Sequence, residues 1–270
     1  MSQPASHLFE VTLKISDWRS PTLDLKMPVW TPGSYLVREY ARHLQDFSAR
    51  SGGGELTSRK LSKNHWQIAT NNSTEIKVSY RIYANDLTVR TNHLDATHAY
   101  FNGAALFFFV PGLEQQPISI KIVPPQSDWR VTTTLTKIEG EENTFQAQDF
   151  DTLVDTPVEI GTHQVYDFEV LGKPHSLAVW SQGNANPQKS IADTTKVIEV
   201  EAEIFDGLPY QEYLFLLHLS GSGYGGLEHK DCCTLNYPRF GFSDREKYER
   251  FMQLVAHEFF HIWKVKRIRP

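Results

Sequence analysis

The sequence predicts an α+β protein: an all-β N-terminal portion, either a sandwich or a saddle-like sheet, followed by a mixed region that ends in one amphipathic helix. Three observations carry that reading. Short alternating or apolar runs, bounded by turn residues, recur through residues 1–165. The pattern changes near Leu153 to Gly161, after which longer apolar strands appear. From Ser243 onward apolar residues recur at helical spacing. A boundary therefore falls near residue 165, with a second region over 166–270.

Along the chain, His7 to Ile15 and Leu23 to Met27 alternate as half-buried strands do. Turn residues interrupt them at Pro28 to Tyr35. Leu36 to Phe47 fits either a helix or a twisted loop, and Ser51-Gly52-Gly53-Gly54 reads as a hairpin tip. His65 to Ala69 and Ile76 to Tyr83 are strands, and the apolar run Ala105 to Val110 reads as a buried one. Ile118 to Val123, Trp129 to Thr134 and Thr144 to Ala147 complete the first region. Trp30, Trp66 and Trp129 read as core anchors. His93 and His98 allow a metal reading, but loop histidines are the favoured one, since no helix or strand register brings their rings together.

In the second region Val165 to Leu171, His175 to Trp180, Tyr213 to Leu219 and Asp231 to Tyr237 read as strands, with His218 a core histidine. Ser190 to Phe205 reads as a helix despite its β-branched residues. The glycine-rich run Gly221 to Gly226 has no Walker lysine and opens no helix, which argues against a phosphate cradle.

Composition narrows the function. The chain has 270 residues, 40% of them hydrophobic and 22% charged, an ordinary globular balance. Its net charge of −5 argues against nucleic acid as a partner. No apolar run is long enough to span a membrane, and the first residues lack the basic and apolar segments of a secretory signal. Cys232 and Cys233 are adjacent, a poor geometry for a disulfide, so they read as reduced thiols of a cytoplasmic protein.

The last helix concentrates the chemistry. Ser243 and Glu246 predict a capping box, and Tyr248, Met252, Val255, Phe259 and Trp263 form one apolar stripe. His257 and His261 lie four residues apart, which on a helix puts both rings on one face, roughly opposite that stripe. Two imidazoles so placed can share a tetrahedral Zn²⁺, with Glu258 reaching a metal-activated water as general base. The pattern has only three fixed positions and also occurs in helices that bind nothing. Lys264, Lys266, Arg267 and Arg269 suit the negative end of the helix, a nucleic-acid patch being the lesser reading of so short a basic run on an acidic chain, and Pro270 suits its stop.

Gly225-Gly226-Leu227-Glu228-His229 followed by His257-Glu258-Phe259-Phe260-His261 resembles the gluzincin metallopeptidases, and more narrowly the glycyl aminopeptidase family. The resemblance includes Pro28 to Tyr35, Arg38-Glu39-Tyr40, Leu87 to Gly103 and Val265 to Pro270. It implies a β-rich domain over residues 1–165 and, over 166–270, the first part of a thermolysin-like catalytic domain, usually followed by a PDZ domain. It implies His257 and His261 as zinc ligands and Glu258 as the base. Glu228, on an edge strand with Gly225 and Gly226, would capture the free α-amino group of a peptide substrate. A surface ion pair is the other reading of Glu228, and His229 is either a transition-state donor or structural. The implied third zinc ligand is a glutamate on a later helix, which this sequence does not include. The expectation is thus the N-terminal part of a zinc aminopeptidase that removes Gly or Ala. On its own it would bind zinc weakly or not at all and be inactive, with a homodimer or local disorder around residues 240–270. An endopeptidase and a non-catalytic β-domain for binding or assembly are the alternatives.

Overall fold

The computed structural model describes residues 1–31, 34 and 36–268. Parts of two motif stretches (Pro32, Gly33, Tyr35, Arg269 and Pro270), with the expected helix stop, lie outside the described residues. The chain divides into two compact units. The first comprises residues 1–87, 91–129 and 135–155; the second comprises 88–90, 130–134 and 156–270.

Twelve strands and a short helix make the first unit: β1 (Leu8–Ile15), β2 (Thr22–Lys26), β3 (Leu44–Ser51), β4 (Gly54–Leu56), β5 (Ser58–Ser62), β6 (His65–Ala69), β7 (Ile76–Tyr83), β8 (His93–Leu94), β9 (His98–Phe101), β10 (Ile118–Lys121), then β12 (Thr136–Lys137) and β13 (Thr144–Ala147), with β11 (Arg130–Thr132) between them belonging to the second unit; helix α1 (Phe150–Asp155) closes it. They form three antiparallel sheets, ordered β1-β7-β3-β4, β2-β6-β5 and β10-β13-β12, and a β8–β9 hairpin. Alternation sets which face is buried. On β7, Ile76, Val78, Tyr80 and Ile82 are buried and the residues between them are not. The aromatic centre is Phe108, whose ring lies 5.1 Å from that of Trp66 and 4.9 Å from that of Tyr80.

Three expectations fail here, each for a local reason. Ala105 to Val110 is not a strand. Asn102 caps a 3₁₀ turn at Gly103–Ala105 by accepting from the Ala104 N–H, and the Asn92 side chain donates to the Ala105 carbonyl. Side chains thus satisfy backbone groups that a ladder would otherwise use. Trp30 is not a core anchor: it is 49% exposed, with its indole N–H donating to the Ser34 carbonyl. Trp66 and Trp129 are buried as expected. His93 and His98 do come together, with ring centroids 4.8 Å apart, because a strand register unseen in the sequence pairs β8 with β9. The ambiguous stretch before Phe47 becomes a 3₁₀ turn at Tyr40–His43 leading into β3.

The second unit pairs β11 with β14 (Val158–Gly161) and builds a mixed sheet from β15 (Gln164–Val170), β16 (Lys173–Trp180), β17 (Tyr213–Ser220), β18 (Gly225–Glu228) and β19 (Cys232–Pro238). The order is β15-β16-β17-β19-β18. The strands β16, β17 and β19 run parallel; β15 and β18 are antiparallel edges. Helix α2 (Pro187–Ile204) makes the crossover from β16 to β17, and every residue of β17 is buried, as a central parallel strand requires. His218 is buried within it and its Nε2 lies 2.8 Å from a carboxylate oxygen of Glu159 on β14.

Helix α3 (Arg245–Phe260) covers this sheet. Its buried Phe251, Val255 and Phe259 pack among Tyr213, Phe215 and Tyr237, with the Phe259 ring 5.1 Å from that of Tyr213. Burying one such phenylalanine contributes about 1.5–3 kcal/mol. Two details differ from the expected helix. The N-cap is Asp244, one residue beyond Ser243, with its carboxylate accepting from the Lys247 N–H at 2.9 Å. Ser243 instead accepts from the Asn184 amide. The helix also stops at Phe260, well short of Arg269. Val265 sits at φ 83, and Arg267 ties the following turn by donating to the carbonyls of Ile262, Lys230 and Pro209. No helix among the described residues is long and apolar enough to cross a membrane.

The cap assignment is testable. Asp244→Ala should lower stability by about 1 kcal/mol in urea unfolding. Glu246→Ala, the partner that a Ser243 cap would have used, should cost less.

Candidate active site

The sequence motifs meet at one place in the second unit. His257 lies in the last turn of α3 and is exposed. His261 is the C-cap, at φ −64 and ψ −15, so the chain keeps the helical turn that carries the second ring to the first. The rings are nearly perpendicular, with centroids 4.7 Å apart and Nε2 atoms 3.2 Å apart. A tetrahedral zinc with bonds of about 2.0–2.1 Å spaces two nitrogens by about 3.3 Å, so the separation of the pair suits one shared cation.

Glu258 lies about 100° round the helix from His257 and is 4% exposed. It lies against β18, the sheet edge. A Cβ on Gly226 would overlap the Glu258 carboxyl group, so only glycine lets this carboxylate lie over the strand. Gly225 beside it adopts φ 155, also a glycine conformation. Glu228, at the end of β18, is 5% exposed and pairs in register with Cys233. Carboxylate oxygens of Glu228 and Glu258 and a ring nitrogen of His261 all lie within 4.8 Å of one another. Burial pushes Glu258 up to about 8, and the Glu228 charge adds to the rise while Arg90 opposes it. Burial likewise holds His261 below its ordinary value.

His229 is buried, and its backbone N–H donates to the Cys232 carbonyl at 2.9 Å, closing the turn between β18 and β19. Cys232 and Cys233 are both buried, and neither is in a disulfide. Arg90 belongs to the site and was not singled out from the sequence. Its guanidinium donates to the Gly226 carbonyl at 3.3 Å. Arg90 and Gly226 are too distant in sequence for any spacing to signal this bond. An apolar cavity of about 370 Å³ lies in the first unit, lined by Phe9, Leu13, Phe109 and Ile120 among others, and contains none of these residues.

The end of α3 thus presents two imidazoles and a buried carboxylate beside a sheet edge. Residues 1–162 match the family model of the peptidase M61 N-terminal domain, and residues 250–270 that of the M61 glycyl aminopeptidase. The chain belongs to the M61 peptidase family. Among solved structures it is similar to an aminopeptidase N family protein from Idiomarina loihiensis, with 32% identity over 99% of this chain and a TM-score of 0.93. This chain spans 47% of that protein's chain. The Legionella pneumophila aminopeptidase A, solved with aspartic acid, shares the fold at 15% identity and TM-score 0.58, covering 95% of this chain and 32% of its own. No curated protein matches.

The contact between Gly226 and Glu258 predicts a coupled pair. Gly226→Ala should cost about 1–3 kcal/mol through overpacking. The same substitution in a Glu258→Ala background should cost little. Equal costs in both backgrounds, measured by urea unfolding, would show that the two residues do not press on one another.

Proposed function

We propose that this chain carries the core of a zinc aminopeptidase that releases small N-terminal residues, glycine or alanine, from peptides. In this reading residues 166–270 form the first part of a thermolysin-like catalytic domain behind a β domain of residues 1–165. The observation that carries the reading is the close set of Glu228, Glu258 and His261 around the sheet edge, with the His257 Nε2 atom 3.2 Å from that of His261. The M61 glycyl aminopeptidase match over residues 250–270 supports it.

His257 and His261 would hold the zinc, and the donor set of two neutral imidazoles suits that ion. Bound zinc supplies Lewis acidity toward the peptide carbonyl and acidifies water. Glu258 accepts the proton of the attacking water and delivers it to the leaving amine. Glu228 pairs with the substrate's α-ammonium and so fixes the cut one residue from the N-terminus. The open edge of β18 binds the peptide backbone by strand addition, while Gly225 and Gly226 leave room for its close approach. Arg90 steadies that edge through the Gly226 carbonyl. A zinc site of this kind uses three protein ligands. The family resemblance assigns the third to a glutamate that follows this helix. The 270-residue chain alone is therefore expected to hold zinc weakly at His257 and His261 and to turn over little peptide.

Two substitutions in a version that includes that glutamate test the roles. Glu258→Gln should keep its zinc and lose about 10²-fold or more in turnover, because the amide has the shape but not the basicity. Activity near wild type would remove Glu258 from the reaction. Glu228→Ala should keep its zinc but lose cleavage of peptides with a free amino group. If the wild type cuts free and N-acetylated peptides equally well, the enzyme is an endopeptidase and Glu228 does not read the N-terminus.

A further inference from the structure

A second set of metal-type donors lies in the first unit. Strands β8 and β9 form a hairpin joined by Asp95, Ala96 and Thr97. Its register pairs His93 with Tyr100 and Leu94 with Ala99, and the Asp95 N–H donates to the His98 carbonyl at 3.0 Å. Residues two apart on a strand share a face, as do residues facing one another across the ladder. His93, Asp95 and His98 therefore stand on one face of the hairpin, and the two rings are tilted by only 32°.

The distances suit a cation. The His93 Nε2 atom is 3.3 Å from Asp95 Oδ2, and the His98 Nδ1 atom is 4.0 Å from Asp95 Oδ1. One donor atom from each residue lies within 4.8 Å of the other two. A tetrahedral ion with bonds of about 2.0–2.2 Å separates its ligands by about 3.3–3.6 Å, so a small side-chain adjustment closes the set.

Asp95 is also held ready. Its Oδ1 accepts from the Thr97 hydroxyl at 2.6 Å, the Thr97 N–H at 2.7 Å and the His98 N–H at 3.1 Å, which leaves Oδ2 toward His93. Burial favours the neutral acid, yet these hydrogen bonds and that from His93 hold the carboxyl down to about 2. The His98 side chain is fully buried, His93 is 12% exposed and Asp95 31% exposed, so the set has a buried floor and an open side through which an ion and a water can enter.

We propose that His93, Asp95 and His98 bind a divalent cation of the zinc class, which braces the β8–β9 hairpin. Two imidazoles and one carboxylate select such an ion over calcium or magnesium, which prefer all-oxygen cages. The inference uses none of the residues assigned to peptide cleavage and stands apart from that assignment.

The test begins from a His257→Ala, His261→Ala double variant of this chain, so that zinc at the helix is removed. Titration with zinc chloride should still show one bound equivalent, and Co²⁺ in its place should give visible d–d absorption. Zinc should also raise the Tm. Adding Asp95→Asn, which keeps the Oδ1 acceptor for the turn but loses the anion, should abolish all three signals, and so should adding His93→Ala. Absence of the zinc equivalent from the double variant would overturn the proposal. So would an equivalent that survives either added substitution.

Discussion

The second unit depends on one packing interaction, the aromatic face of α3 against the mixed sheet. Phe251 and Phe259 reach Tyr213, Phe215 and Tyr237, and Trp263 stacks on Phe205 with ring centroids 4.6 Å apart. This packing fixes the rotation of the helix about its axis. With it fixed, His257 is exposed, while Glu258, one residue and about 100° further round, is pressed onto β18. Turning the helix by a single residue would bury an imidazole and lift the carboxylate off the glycine strand. The chemistry is therefore held by residues that take no part in it.

The sheet edge imposes a matching demand. A strand that carries side chains toward α3 would hold the Glu258 carboxyl away, and Gly226 removes that obstacle. Glycine weakens a strand, however, by enlarging the entropy lost on folding. Pairing with β19 from Gly225↔Asn236 to Glu228↔Cys233 offsets part of that loss, and the Arg90 guanidinium adds a bond to the Gly226 carbonyl.

Elements with strong periodicity were legible in the sequence. His65–Ala69 and Ile76–Tyr83 have the bounds read from alternation, and β17 differs by one residue from the buried run. The paired histidines were legible because their spacing is local, whereas the glycine strand Gly225–Glu228 came only with the family resemblance, the residues alone reading as a glycine-rich approach to the next strand. What escaped depends on contacts distant in sequence or on side chains competing with the backbone. Ala105 to Val110 reads as a strand until Asn102 is known to cap the turn just before it and Asn92 to take up the Ala105 carbonyl. Ser243 and Asp244 are both good caps, and the Asn184 amide engages the first, leaving the second for the helix. His93 and His98 needed a register that two-residue strands are too short to announce.

The composition of the second unit bears on how the polypeptide can be divided. Residues 88–90 and 130–134 are part of it, although each is embedded in sequence that otherwise builds the first. Strand β11 is the antiparallel partner of β14, and Arg90 holds the Gly226 carbonyl. A fragment cut at residue 156 would therefore leave β14 without that neighbour and the glycine edge without its guanidinium, though the cut falls between two compact bodies. The two bodies are interleaved in sequence, so no single cut yields the second one whole.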